Sequence, residues 1–134
     1  MSPKISIELA KHRLEQAREN IEEAEILYNV EKFKGANNRA YYSIFHSIKA
    51  VLALEPIDFK RHKDVIAYFN KNYVRTEIFP KRMGHMIAEA NAIREDSDYD
   101  DEFIVKPEET KTQIETAKEL LKLVEEYIDS KIYN

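Results

Sequence analysis

Apolar residues recur at alternating steps of three and four along the first 28 residues, a pattern that predicts one long amphipathic helix. The residues of this stripe are Ile7, Ala10, Leu14, Ala17, Ile21, Ala24 and Tyr28. We place the helix from about Lys4 to Glu31, with one apolar face against a partner. Ser2 and Pro3 fit an N-cap followed by the first helical turn. Gly35 fits the C-terminal stop of the same helix.

Similar patterns predict four further helices. The second runs from about Ala36 to Leu54 and ends before Pro56, because the residue preceding a proline disfavours helical geometry. The third and fourth read HKDVIAYFNKNY and KRMGHMIAEANAIRED, and the acidic stretch SDYDDEFIVK is interpreted as a loop because it lacks periodicity. The last helix begins at Pro107. We therefore expect an all-α fold, a five-helix, mainly up-and-down antiparallel bundle that forms a single domain over residues 1–134.

The composition supports a helical protein and excludes several kinds of chemistry. Of the 134 residues, 43% are hydrophobic, 34% are charged and only two are glycine, which suits a compact helical domain. The absence of cysteine excludes disulfides, thiolate zinc sites and cysteine nucleophiles. No apolar run approaches the ~20 residues that span a bilayer, and the amino terminus lacks the apolar centre of a signal peptide. We expect a soluble, cytoplasmic protein.

The net charge of −4 is unevenly distributed along the chain. Residues 1–33 contain five basic and seven acidic side chains, residues 34–85 contain ten and four, and residues 86–134 contain six and fourteen. A basic face on an acidic body can bind phosphates locally. The alternative is that segments of opposite charge simply pack against each other within the bundle.

The second predicted helix has two different faces. At about 100° per residue, Arg39, Tyr42, His46 and Lys49 share one face. The opposite, apolar face consists of Ala40, Ile44, Phe45, Ile48 and Leu52. Small residues lie beside the polar face, where they leave room for a ligand: Ser43, Ser47 and Ala50.

This polar face has the chemistry that a phosphodiester requires. Arginine offers a planar fork of donors, histidine exchanges a proton near neutral pH, and tyrosine adds a hydroxyl and a stacking surface. Lys60, His62 and Lys63 at the start of the third helix are further candidates for binding an anion. A purely structural role, with Arg39 paired to an acid and His46 bonded to a carbonyl, is the alternative. The histidines lack the paired spacing of a metal site, and the sequence has no glycine-rich phosphate loop, so we predict neither metal nor cofactor.

Three segments resemble the HEPN domains, specifically the small single-domain branch of bacteria and archaea. They read NNRAYYSIFHSIKAVLAL, KRHKDVIAYFNKNYV and IREDSDYDD, in this order. The resemblance covers nearly the whole chain. It implies a helical bundle, a homodimer, and a nucleotidyltransferase partner in a toxin and antitoxin pair.

Catalytic HEPN members are metal-independent endoribonucleases whose signature is an arginine, four to six residues, and then a histidine. The corresponding place in this chain has Arg94 followed by Glu95, with Tyr99 where the histidine is expected. A tyrosine, with its usual pKa near 10, is a poor proton acceptor at neutral pH.

Three hypotheses follow from these features. The first is a dimeric module that binds nucleotide or RNA, or works with a nucleotidyltransferase, without strong catalysis. The second is a metal-independent endoribonuclease toxin that uses Arg39, His46 and Arg94, with Tyr42 or Tyr99 positioning the phosphate. The third is a purely structural helical adaptor.

Overall fold

The computed structural model describes residues 3–99, 102 and 104–133. It contains five α-helices: α1 (Pro3–Asn29), α2 (Phe33–Leu52), α3 (His62–Phe69), α4 (Lys81–Tyr99) and α5 (Pro107–Ile132). A π-helical turn, Asn70–Val74, continues α3, and the described residues include no strand. The predicted all-α, five-helix architecture is therefore confirmed. Within these residues, no helix is both long enough and apolar enough to cross a bilayer.

Helices α1 and α2 form a hairpin whose turn is made without glycine. Glu31 adopts a left-handed φ of 62°. The Lys32 amide donates to the Leu27 carbonyl at 2.8 Å and the Glu31 amide donates to the Tyr28 carbonyl at 3.0 Å, which is the hydrogen-bond pattern of a Schellman motif. Gly35 lies inside α2, so its predicted role as a helix stop is wrong. The two closing hydrogen bonds offset the cost of about 1 kcal/mol for a non-glycine residue in this conformation.

Small residues at heptad spacing bring α1 and α2 close together. We call this contact the α1–α2 seam; its members, all 0% exposed, are Ala10, Ala17, Ala24, Ala36, Ser43 and Ala50. The Ser43 hydroxyl donates to the Ala17 carbonyl at 2.9 Å, which requires a short interhelical distance. The expectation that Ser43, Ser47 and Ala50 leave room for a ligand is wrong, because all three are 0% exposed.

The apolar face of α2 is buried as predicted. Ala40, Ile44 and Ile48 are at most 1% exposed, and Phe45 and Leu52 are also buried. This face packs against α5, which contributes Ala117, Leu120 and Val124 to the core. Helices α3 and α4 also contact α2.

Several predicted element boundaries differ from the structure; α2, for example, begins at Phe33 rather than Ala36. The third helix is α-helical only to Phe69 and then widens into the π-helical turn. Gly84 of α4 packs closely on this turn, since a Cβ there would lie 3.1 Å from Val74 Cγ1.

The predicted acidic loop is helical over its first three residues, because α4 extends to Tyr99. Ser97 is buried, and the Arg94 guanidinium pairs with Asp98 one turn later at 3.4 Å, so both side chains stabilise the last turn. Residues 104–106 have no regular structure, as predicted. The other loop positions, 100, 101 and 103, and the predicted N-cap Ser2 lie outside the described residues.

Candidate functional site

His46 of α2 is held in one orientation by a chain of hydrogen bonds from α1. The Asn20 amide nitrogen donates to Glu23 Oε1 at 3.0 Å, and Asn20 Oδ1 lies 2.8 Å from His46 Nδ1. Because a carboxylate only accepts, the amide oxygen of Asn20 must face the imidazole, and His46 Nδ1 must carry the proton. The other ring nitrogen, Nε2, makes no hydrogen bond within the described chain and presents a lone pair.

His62, the first residue of α3, is oriented in the opposite sense. Its Nδ1 lies 3.2 Å from the Tyr41 hydroxyl. Burial raises the pKa of Tyr41 to about 12, so the phenol keeps its proton at neutral pH. We assign the phenol as the donor to His62 Nδ1, which leaves the His62 proton on Nε2. One histidine therefore offers a lone pair and the other offers an N–H.

Both histidines are uncharged at neutral pH. Burial is the largest cause that lowers the pKa of His46 to about 4, and the nearby cations Arg13 and Lys49 lower it further. The pKa of His62 is also lowered, first by burial and then by Arg94 and Lys49. Each imidazole therefore acts as a neutral hydrogen-bonding group at pH 7.

Aromatic rings connect the two histidines. The Phe45 ring stacks on His62 with centroids 3.9 Å apart. The Tyr42 ring lies 6.2 Å from that of His46 and 5.9 Å from that of His62. We call Tyr41, Tyr42, Phe45, His46 and His62 the histidine–aromatic cluster. It joins residues of α2 and α3, and Tyr42, His46 and His62 are its partly exposed members.

Arg94 of α4 packs against the cluster at Tyr41. The guanidinium carbon lies 4.6 Å from the centre of the Tyr41 ring, a cation–π contact. The side chain is only 12% exposed, and its Nε is buried without a hydrogen-bond partner. Arg94 contributes to the lowered pKa of His62, whereas it is not among the causes of the shift at His46. Of the two histidines, His62 is therefore the one whose pKa the charge of Arg94 affects.

The other predicted site residues lie around this cluster. Arg39 is exposed on α2, two turns before His46, and makes no hydrogen bond or ion pair with any described residue. Lys60 and Lys63, the sequence neighbours of His62, are also exposed and unpaired within the described chain. Lys49 instead lies 3.4 Å from Asp58 Oδ1.

The last predicted site residue, Tyr99, ends α4 and is 81% exposed. None of the contacts that define the cluster involves its ring. The position that takes the place of the signature histidine is therefore exposed at the end of a helix, while the two histidines of the cluster lie on α2 and α3.

Sequence reasoning missed three residues that organise the cluster. Phe45 was assigned to the core alone, and Tyr41 and Asn20 were not identified. Asn20 carries a detectable signal, because it is a polar residue directly before Ile21 in the apolar stripe of α1 and is 8% exposed. Tyr41 carries no comparable signal, since its role depends on His62, 21 residues later.

Metal binding receives no support from the side-chain arrangement. In the part of the chain that the structure describes, no three His, Cys, Asp or Glu side chains are grouped so that they could hold a metal ion. The cluster instead combines neutral imidazoles, aromatic rings and a guanidinium, which are groups that contact nucleobases and phosphates.

The all-α architecture and the sequence both match a known class of proteins. The family model of the HEPN domain matches residues 10–127, so the chain belongs to the HEPN domain family. A protein of Methanocaldococcus jannaschii named "Putative toxin MJ0142" is 32% identical over 118 residues, which are 88% of this chain and 80% of that protein. A UPF0332 protein of Thermotoga maritima is 30% identical over 114 residues, 85% and 86% of the two chains.

Proposed function

We propose that the protein is a toxin-like HEPN module that binds single-stranded RNA or nucleotides on the histidine–aromatic cluster. The observation that carries this proposal is the combination of partly exposed rings with unpaired cations. Tyr42, His46 and His62 are each partly exposed, and Lys60 and Lys63 directly flank His62. The name of the M. jannaschii relative supports the toxin-like part.

Such a surface suits RNA because it offers two kinds of contact. Unstacked bases can stack on the rings of Tyr42 and His62, a contact that contributes about 1–3 kcal/mol per base. The exposed cations Arg39, Lys60 and Lys63 can neutralise the phosphates that follow the bases. The neutral imidazoles add one acceptor and one donor without a desolvation penalty for charge.

Fluorescence anisotropy with a fluorescein-labelled oligouridylate of about twelve nucleotides tests this proposal. We expect the affinity to fall by about tenfold between 50 and 200 mM KCl, because contacts to a few phosphates release counterions. Tyr42→Leu should weaken binding by about tenfold through lost stacking. The double variant Lys60→Gln/Lys63→Gln should weaken binding and reduce the salt dependence.

A matched control removes the same charge from α5, whose Lys111 and Lys122 are exposed and unpaired within the described residues. Lys111→Gln/Lys122→Gln should leave the affinity within about twofold of the original. Equal losses in the two double variants would show that binding follows net charge and would contradict the proposed site. No binding at 50 mM KCl would contradict the function.

We also propose that the protein forms a homodimer and acts with a nucleotidyltransferase partner, as its family resemblance implies. Light scattering coupled to size-exclusion chromatography tests the dimer, and a monomer at about 10 μM would contradict it. Co-purification with a nucleotidyltransferase encoded beside this chain tests the partner.

A slow, metal-independent ribonuclease is the second candidate, and the orientation of His46 favours it. Its free Nε2 can accept the proton of a ribose 2′-hydroxyl as that oxygen attacks phosphorus, while the His62 N–H bonds a phosphate oxygen and water protonates the leaving 5′-oxygen. A base whose pKa is about 4 accepts protons weakly at pH 7, so we expect slow turnover.

Single-turnover cleavage of labelled RNA in the presence of EDTA tests this candidate. His46→Ala should abolish cleavage while RNA is still bound. His85 on α4 is exposed, so His85→Ala is the matched control and should retain the rate. Persistent cleavage by His46→Ala would reject His46 as the base.

A further inference from the structure

We propose that a cavity between α1, the end of α2 and the following loop binds a small carboxylate that carries an apolar ring. This site lies next to the histidine–aromatic cluster but is separate from it. The proposal goes beyond RNA binding and does not rest on it.

The cavity has a volume of about 130 Å³ and a mostly apolar wall. The apolar residues that line it are Leu9, Leu52, Ala53, Ile57, Phe59 and Val65. Its polar lining consists of Arg13 from α1, Lys49 from α2, and Glu55 and Asp58 from the loop. An apolar chamber with a few convergent polar groups is the usual form of a small-molecule site.

Arg13 is the cation of this cavity that forms no ion pair with a described residue. Its Nη1 donates to Gln16 Oε1 at 3.1 Å, but its Nε is buried and has no acceptor. No carboxylate within the described chain forms an ion pair with it, so a partly buried guanidinium contacts only a neutral amide. Leaving a partly buried guanidinium without a counter-charge is costly, so an anion beside its accessible part would be stabilised.

The two acidic residues that line the cavity already have other hydrogen-bond or ion-pair partners. Glu55 accepts hydrogen bonds from the hydroxyl of Tyr68, at 2.9 Å, and from that of Tyr73. Asp58 accepts the Phe59 amide at 2.8 Å and lies 3.4 Å from the Lys49 ammonium. Its side chain is 87% exposed, so it lies at the mouth rather than inside the cavity. Neither carboxylate is therefore paired with Arg13.

The volume sets the size of the occupant. A cavity of about 150 Å³ accommodates benzene, so 130 Å³ fits a single ring with little to spare. The ring would lie among the aliphatic side chains and Phe59, and its carboxylate would accept from Arg13, with Lys49 as a second cation. Benzoate has this shape and charge and is a suitable probe.

Occupancy of the cavity should be detectable at His46. Burial lowers the pKa of His46 most, and the positive charges of Arg13 on α1 and Lys49 on α2 lower it further, with smaller effects from His62 and His12. A carboxylate beside Arg13 and Lys49 would offset part of this effect, so the pKa of His46 should rise from about 4 toward its ordinary value. The imidazole resonances of His46 therefore report on the cavity without RNA.

The test is a titration of the full chain with sodium benzoate, followed by calorimetry and by histidine NMR. Benzamide, the neutral analogue of the same shape, should bind at least about tenfold more weakly, because it lacks the charge-assisted hydrogen bond. Arg13→Gln should weaken benzoate binding by about tenfold, and Lys49→Gln should weaken it less. Benzoate should also raise the pKa of His46.

Arg18 provides the matched control on the same helix, because it is exposed and lies 3.6 Å from Glu125. Arg18→Gln should bind benzoate within about twofold of the original chain. Equal binding of benzamide, unchanged binding by a folded Arg13→Gln variant, or no heat of binding and no shift at His46 at about 20 mM benzoate would each overturn the proposal. If Arg13→Gln does not fold, the Lys49→Gln titration and the benzamide comparison decide the question.

Discussion

The side chains of the α1–α2 seam are no larger than serine, whereas the histidine–aromatic cluster of α2 and α3 consists of large rings and imidazoles. In the α1–α2 seam, all six residues are 0% exposed and the Ser43 hydroxyl is hydrogen-bonded. In and beside the cluster, His46 Nε2 is free, and Arg94 and Arg13 have buried Nε atoms without partners. The one polar side chain of the seam has a partner, while the cluster and its surroundings retain unused hydrogen-bonding capacity, as do Asn37 and Ser47 elsewhere on α2.

The largest expected effect comes from enlarging a side chain in the seam. Ala17→Leu should lower the free energy of unfolding by about 3 kcal/mol or more, because the two helices must separate to admit the added carbons. Urea denaturation followed by circular dichroism measures this. Ala88→Leu on the exposed face of α4 is the control and should change stability by less than about 0.5 kcal/mol. A small effect of Ala17→Leu would mean that the seam is not closely packed in solution.

The next largest effect is the loss of folding stability in acid that His46 of the cluster causes. Between pH 6.5 and about 4, the unfolded chain binds a proton at His46 that the folded chain does not bind. The free energy of unfolding should therefore fall as the pH is lowered through this range. We expect His46 to account for about 1–2 kcal/mol of the fall, less than its full pKa shift implies because the ring is partly exposed.

Unfolding titrations of His46→Gln at pH 7 and pH 4.5 measure this contribution. The variant should lose less stability on acidification than the original chain, while His85→Gln should behave like the original because His85 is exposed. An unchanged pH dependence in His46→Gln would show that His46 titrates normally in the folded protein.

A smaller effect is expected from the hydroxyl that orients His62. Tyr41→Phe keeps the ring beneath Arg94 but removes the donor to His62 Nδ1, and should cost about 1 kcal/mol. Thermal unfolding measures this change. The nitrogen chemical shifts of His62 should also show a change in its tautomer balance. If the tautomer balance does not change, Tyr41 does not set the orientation of His62.

The smallest effect is expected from the one polar contact of the seam. Ser43→Ala removes the bond to the Ala17 carbonyl but leaves a residue of suitable size, and should cost about 0.5 kcal/mol. The cost is low because a carbonyl inside a helix also accepts an intrahelical bond. A loss above about 1.5 kcal/mol in urea denaturation would show that hydrogen bonding, rather than small size, holds the seam together.

The sequence predicted all five α-helices but not where several of them begin or end. The start of α5 at Pro107 was correct because proline is favoured in the first helical turn. The turn after α1 was misplaced because Glu31, rather than Gly35, adopts the left-handed conformation. The end of α4 was misplaced because Ser97 is buried by tertiary packing that local periodicity does not reveal.

For the candidate site, the sequence identified several of the residues but not which of them contact one another. Arg39, Tyr42 and His46 do share one side of α2, since helical spacing alone determines that. Their predicted grouping with Arg94 depended on contacts between helices. In the structure, the Arg94 guanidinium lies over the Tyr41 ring and lowers the pKa of His62.

By itself, the sequence determined the all-α class, the buried face of α2 and the resemblance to HEPN domains, because these follow from periodic patterns and local motifs. Only the tertiary structure decided which ring nitrogen each histidine presents and which cations remain unpaired. The His46–Asn20 and Tyr41–His62 contacts join residues 26 and 21 positions apart. Hydrogen bonds and desolvation over such separations depend on how helices pack, and helical periodicity carries no information about that packing.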